Sequence, residues 1–157
     1  MFILSGFFIG IVATCIFDIF QHSLFFAYNI SKPKWHLVGR YFYGLKDQIY
    51  FYEDIESSHK IKYELFIGYF FHYLIGIIYG IIYIILNILF FDNPSLILAI
   101  IIGFLAVLGN WCIMMPYAFN VGFFASKKTE KFQILVQNLI AHYIFGIGLY
   151  IGQIIIS

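Results

Sequence analysis

Asp18 is the one acidic side chain that lies well inside an apolar stretch of this chain. A charge at the centre of a bilayer costs about 2.5–3.5 kcal/mol on insertion scales, so such a residue faces the interior of a helix bundle and has a partner. His22 follows one helical turn later, and Cys15, Asp18 and His22 keep i, i+3, i+7 spacing, which places them on one helix face. His72, Asn110 and His142 are polar residues of three later apolar stretches. At about 1.5 Å of rise per residue, Asp18, His72, Asn110 and His142 all fall on the order of 10–15 Å from the same membrane surface. One side chain from each stretch is therefore expected in a single intramembrane polar layer.

Three chemistries suit such a layer. It can be hydrogen-bonding glue between helices, with Asp18 holding a histidine. It can carry protons or line a substrate path in a small transporter. It can also bind a transition metal through Asp18, His22, His72, His142 and Cys15, since imidazole and carboxylate suit such ions. The metal reading is the weakest, because no H-x-x-x-H or C-x-x-C pairing supports it. Met114 and Met115 suggest copper, but methionines in an apolar helix ordinarily pack. Cys15 and Cys112 both lie in apolar stretches and form no disulfide framework.

Other chemistry has little support. The sequence holds no G-x-S-x-G, Walker A or G-x-G-x-x-G motif. His36, Ser57-Ser58-His59 and Ser126-Lys127 sit in polar loops, where such residues usually face solvent. No catalytic residue is assigned, and the sequence requires no cofactor.

The elements that position the layer follow from composition. Of 157 residues, 62% are apolar and 11% charged, against about 25% charged in an ordinary soluble domain. A water-soluble fold of this size could not hide so much apolar surface, so the bilayer is the natural solvent. Four stretches, 2–28, 64–91, 95–116 and 132–155, reach the length of a spanning helix, which needs about 20 apolar residues. The expected fold is an all-α, polytopic bundle of four transmembrane helices in one domain, 1–157. Asp92-Asn93-Pro94 predicts a tight turn between the second and third spans. Pro116 cannot donate to the carbonyl of Cys112, which predicts a kink or an end there.

Charge sets orientation. Lys32, Lys34, Arg40, Lys46, Lys60 and Lys62 lie in the loop 29–63, and Lys127, Lys128 and Lys131 in or beside the third loop, which accounts for all 9 Lys and Arg. Both loops share one face, which the positive-inside rule assigns to the cytoplasm. The expectation is a bacterial inner-membrane protein with both termini outside the cytoplasm. A net charge of +1 gives no field that would attract nucleic acid. Within the first loop, Trp35, Val38 and Phe42 follow helical spacing among basic residues. Either a short helix in the headgroup region or an irregular loop with an aromatic anchor fits this pattern. Trp35 and Arg40 would then organise the cytoplasmic mouth. Glu53, Asp54 and Glu56 read as a solvated acidic surface.

The spans also echo one another. His72-Tyr73 with Gly76-Ile77 matches His142-Tyr143 with Gly146-Ile147, and Gly10 precedes Asp18 much as Gly103 precedes Asn110. Two duplicated helical hairpins related by an axis along the membrane normal would produce this. Gly68, His72, Gly76 and Gly80 form a stripe at i+4 spacing, and Asn138, His142, Gly146 and Gln153 share a face of the last span. Small residues let helices approach closely. Four short helices enclose little space, so a homodimer through the glycine stripe, or a larger membrane complex, is the expected partnership beside the lipid bilayer.

These same residues carry a family likeness. The chain resembles a bacterial family of small four-helix inner-membrane proteins known only as a domain of unknown function. The pieces appear in order: Gly10 with Ala13-Thr14 and Asp18; Trp35, Leu37, Val38, Gly39 and Arg40; Glu64, Gly68, His72-Tyr73 and Gly76; Pro116, Gly122 and Ala125-Ser126; then His142 with Phe145-Gly146 and Gly148-Leu149-Tyr150. The segment between Pro116 and Gly122 is poorer in glycine than the resemblance leads one to expect, and Lys127-Lys128 replaces a proline. The resemblance implies the four-helix membrane fold and no activity. The functional expectation therefore rests on the polar layer: a small transporter or permeation subunit in which Asp18, His72 and His142 contact protons or substrate and Asn110 is their polar partner. A non-catalytic partner subunit of a larger complex is the alternative, and an intramembrane metal-binding protein a weaker one.

Overall fold

The computed structural model describes residues 2–157. Its long elements are α1 (Phe2–Tyr28), α2 (Trp35–Gly44), α3 (Glu64–Phe90), α4 (Leu96–Gly109) and α5 (Lys131–Ile156). Among the described residues there is no strand. Beyond α4 the chain continues as a π-helix over Asn110–Ala118. Phe2–Tyr28, Glu64–Phe90, Leu96–Ala118 and Lys131–Ile156 are long and apolar enough to cross a membrane. Side chains such as Ile3, Phe66, Leu89, Ile97 and Phe132 remain bare on the outside. A lipid solvent accommodates such a surface and water does not, so this is a multi-pass membrane protein.

The turn after α3 is built from its own polar groups. The Ser95 amide donates to Asn87 Oδ1 at 2.9 Å, Asn87 Nδ2 donates to the Asn93 carbonyl at 3.2 Å, and Ser95 Oγ caps α4 by accepting from the Leu98 amide at 3.3 Å. Buried backbone groups that would otherwise lack water are thereby satisfied.

Glycines set the helix contacts. A Cβ on Gly10 would lie 2.5 Å from the Gly76 carbonyl oxygen, and one on Gly103 would lie 2.4 Å from the His142 carbonyl oxygen and 3.1 Å from Gly146 Cα. The echoing glycines thus close α1 on α3 and α4 on α5. Gly148 brings α5 equally close to α1, where an added Cβ would meet Ala13 Cα at 2.7 Å. By contrast α3 meets α4 and α5 over much less of its length. The bundle is therefore a chain of packed pairs, α3 on α1, α1 on α5, α5 on α4, left slack between α3 and α4.

Two expectations need correction. The stretch around Trp35 is helical, but α2 does not lie free in a headgroup layer: Leu37, Val38, Gly39, Arg40 and Tyr41 are buried. Gly39 and Gly68 allow this, since a Cβ on Gly39 would sit 1.8 Å from the Glu64 carbonyl oxygen and one on Gly68 1.9 Å from that of Trp35. The glycine stripe of α3 is likewise not a free dimer face. Gly68 is spent on α2, and Gly76 and Gly80 on α1. Around Pro116 the helix widens into nine residues of π-helix and ends two residues later, at Ala118, close to where the proline predicts a kink or an end. Rare π segments absorb a residue whose N–H cannot enter the α ladder, and they recur at functional sites.

A candidate cavity with an Asp–His layer

Asp18 and His72 meet. His72 Nε2 donates to Asp18 Oδ1 at 3.0 Å, and Tyr73 Oη donates to Asp18 Oδ2 at 3.1 Å. Cys15 adds its thiol to Tyr73 Oη at 3.5 Å. Each carboxylate oxygen thus has a donor, which meets the cost of keeping the charge away from water. His22 turns away from the carboxylate and bonds the Asp18 carbonyl through Nδ1 at 2.8 Å. Histidine one turn beyond a carbonyl on the same helix can reach it without help from another element.

His72 is held on its other side by Trp35. The two rings stack with centroids 3.9 Å apart and planes 25° from parallel. Trp35 starts α2, and the burial of α2 against α3 is what brings the indole down onto the layer. It lines the cavity beside Lys34 and reaches the layer through His72.

His142 does not reach Asp18. Its Nδ1 donates to the Asn138 carbonyl at 2.8 Å, within its own helix. Phe17 stands between the imidazoles, 5.5 Å from His72 and 5.4 Å from His142 by ring centroids. Equal depth places residues at one level but leaves their rotation about each helix open. Asn110, at the first position of the π-helix, lines the same cavity as His72, Asn138 and His142. The layer is thus half bonded and half open.

That cavity has a volume of about 680 Å³, within the range of ligand sites, roughly 300–1,000 Å³. Residues of all five α-helices and the π-helix line it, including Thr14, Gln21, Tyr79, Gly109 and Phe145. Lys32, Lys34 and Lys128 belong to its lining, and no Asp or Glu does. They mark the end at which the long loops gather. Ile75 and Ile113 line it where α3 and the π-helix that continues α4 part, yet they are 40% and 54% exposed, so it also opens on the apolar flank. At the opposite end Tyr83 Oη donates to the Ser95 carbonyl at 3.3 Å and joins α3 to the start of α4.

Arg40 organises the loop above. Its Nε and Nη2 form a fork on Glu64 at 2.9 and 3.1 Å, and Nη1 reaches the carbonyls of Ile55 at 2.6 Å and Ser58 at 3.0 Å. A planar guanidinium suits this bidentate role as an ammonium does not. Burial also pushes the Tyr41 and Tyr52 hydroxyls above their ordinary range, and nearby Arg40 partly offsets this at Tyr52. Asp54 is not merely a bare charge. The Ser57 hydroxyl and the amides of Glu56 and Ser57 hold its carboxyl below the ordinary range.

The residues named for a metal do not converge. Among the described residues no three His, Cys, Asp or Glu side chains form a group able to hold an ion. His22 turns to its own backbone and His142 stands beyond Phe17. Tyr73, Phe17 and the inward role of Trp35 are what sequence reasoning missed. Tyr73 carried a signal, as the companion of His72 in the echoed pair, though its counterpart Tyr143 is 47% exposed.

The family described as "Protein of unknown function (DUF2938)" matches residues 7–156, so the chain belongs to that family. No curated protein and no solved structure matches it.

Proposed function

We propose that this member of the DUF2938 family is a small carrier of the bacterial inner membrane whose cavity opens toward the cytoplasm, with Asp18 and His72 as its proton-holding pair. The observation that carries this is the cavity itself: its lining reaches His72, whose other face is bonded to Asp18. Past Tyr79, farther from the loops, α1 and α3 close where Gly80 meets Gly6 and Gly10, and Tyr83 joins α3 to the start of α4. A site that opens on the loop side and on the apolar flank but is shut toward the opposite face is what alternating access requires of one state. A paired carboxylate and imidazole at membrane depth can accept and release a proton as a substrate enters. Clustering of all 9 Lys and Arg on the loop side supports a cytoplasmic mouth and termini outside the cytoplasm. His142, Asn110 and Asn138 offer polar contacts to a substrate across the cavity from His72.

Trp35 supplies the test, because a protonated imidazole stacked on an indole alters its emission. Trp111→Phe leaves Trp35 as the sole tryptophan, and it sacrifices no hydrogen bond because Trp111 Nε1 has none. In phosphatidylcholine vesicles that chain is expected to show reversible, pH-dependent Trp35 emission, and His72→Gln to abolish the response while the protein stays folded. A folded protein whose Trp35 ignores pH would overturn the reading. The second reading is a purely structural clasp, favoured by the completeness of bonding around Asp18. It predicts an unresponsive Trp35 and lower stability in Asp18→Asn and His72→Gln.

A further inference from the structure

We infer that the cavity takes a membrane lipid with an anionic, phosphate-bearing headgroup, whose chain enters between α3 and α4 while the head rests among Lys32, Lys34 and Lys128. The inference rests on the carrier reading and names the class of its substrate.

Three features of the cavity point the same way. Its walls are mostly apolar and its volume is about 680 Å³, so it suits a hydrocarbon chain better than a polar metabolite. It opens sideways at Ile75 and Ile113, where α3 and the π-helix that continues α4 part and bilayer lipid lies against the protein. Its charged lining residues are three lysines, with no carboxylate among them. Basic pockets between transmembrane helices on the cytoplasmic side are where anionic lipid heads bind.

The lysines are able to serve. Lys34 pairs with Glu56, but both side chains are more than half exposed, so the ion pair is weak and exchangeable. Lys32 rests over the rings of Phe25 and Phe26, at 4.3 and 5.0 Å, which orders it without neutralising it. Lys128 is exposed. With the head at this level, a chain passing inward runs beside Trp35 and Val38 toward Ile75 and Gly109, past Gln21, Gln137 and Asn138 and on to His72, Asn110 and His142.

Trp35 again reports, now by contact quenching from brominated acyl chains in the Trp111→Phe chain. In phosphatidylcholine vesicles, added brominated phosphatidylglycerol is expected to quench Trp35 at a lower mole fraction than brominated phosphatidylcholine. The preference should be on the order of fivefold for each lysine that engages. Combining Lys32→Gln, Lys34→Gln and Lys128→Gln should erase the preference. Gly109→Phe should reduce quenching by both lipids, since a Cβ there meets nothing closer than Tyr79 Oη at 4.0 Å and the ring fills the cavity. Equal quenching by the two lipids, or a preference that survives the lysine substitutions, would overturn the inference. Should the combined variant not fold, the comparison of the two lipids on the otherwise unaltered chain still decides. Loss of the lipid preference with an intact pH response removes the lipid and leaves the carrier. Loss of the pH response with the preference intact removes the carrier and leaves a lipid site.

Discussion

The hairpin of α1 and α3 and the hairpin of α4 and α5 close on matching glycines, yet they treat their polar residues in opposite ways. In the first, Asp18, His72, Tyr73 and Cys15 form a continuous bonded set with Trp35 stacked on it. In the second, Asn110 faces the cavity, His142 bonds only its own helix, and Tyr143 points outward. Register explains part of this. Asp18 lies 8 residues after Gly10, and the same step from Gly103 reaches Trp111 rather than Asn110. The buried Nε1 of Trp111 has no hydrogen-bond partner. Close helix approach and polar function are thus separable: the seam is repeated, while one half holds a charge and the other is left free to meet a ligand.

The seam should be the most sensitive part of both halves. Gly10→Leu and Gly146→Leu are each expected to destabilise by about 3 kcal/mol, because the added side chain meets neighbouring backbone, that of Gly76 and Ile77 in the first and of Ala99 and Ile100 in the second. Unfolding in detergent, followed by circular dichroism, would measure it. Similar losses in the two variants support equivalent seams, and tolerance of either substitution would break the comparison.

The loops come next. The first loop is tied down by a buried arginine, and none of the lysines in or beside the third loop is buried. Arg40→Ala should cost about 3 kcal/mol, since it strands Glu64 and the carbonyls of Ile55 and Ser58. Arg40→Lys should recover only part of that, as one ammonium cannot replace the fork. Protease cleavage within residues 49–63 gives a second readout of the same loss.

Within the layer, Asp18→Leu should cost roughly 1.5–3 kcal/mol by leaving His72 and Tyr73 without an acceptor. Asn110→Leu should change stability by no more than about 0.5 kcal/mol, because its side chain has no bond to lose within the protein. Equal costs would erase the contrast between the bonded and open halves.

The smallest effect is one of pH. The folded-state Asp54 carboxyl titrates below its ordinary value, so its contribution is present above the ordinary carboxylate range and lost as pH falls through the lowered value. Hydrogen exchange at the Glu56 and Ser57 amides should quicken over that interval, and Asp54→Ala should remove the pH dependence.

Much of this architecture was legible in the sequence. Length and apolarity announced four spans, Asp92-Asn93-Pro94 the turn, and the echoed glycines the seams. The Asp18–His72 contact followed from depth and from the cost of a lone charge. What stayed hidden depended on rotation and on distant partners. Depth fixes one coordinate of a helix residue but not its rotation, and His142 turns to its own backbone and packs on the ring of Phe17. Arg40 looked like a loop charge because its acceptor Glu64 lies 24 residues away. The inward fold of Trp35 depends on Gly39 and Gly68 admitting backbone to backbone, which no periodicity in either segment reveals.

Thiol labelling at Asn110 tests the cavity most directly. In a chain with Cys15→Ala and Cys112→Ala, Asn110→Cys provides a single thiol midway along the cavity. A membrane-impermeant maleimide should label it in inverted vesicles, from the cytoplasmic face, and not in right-side-out vesicles. Adding Gly109→Phe should slow that labelling. Labelling only from the outer face, or none from either face in a folded protein, would contradict a cavity that opens among the basic loops.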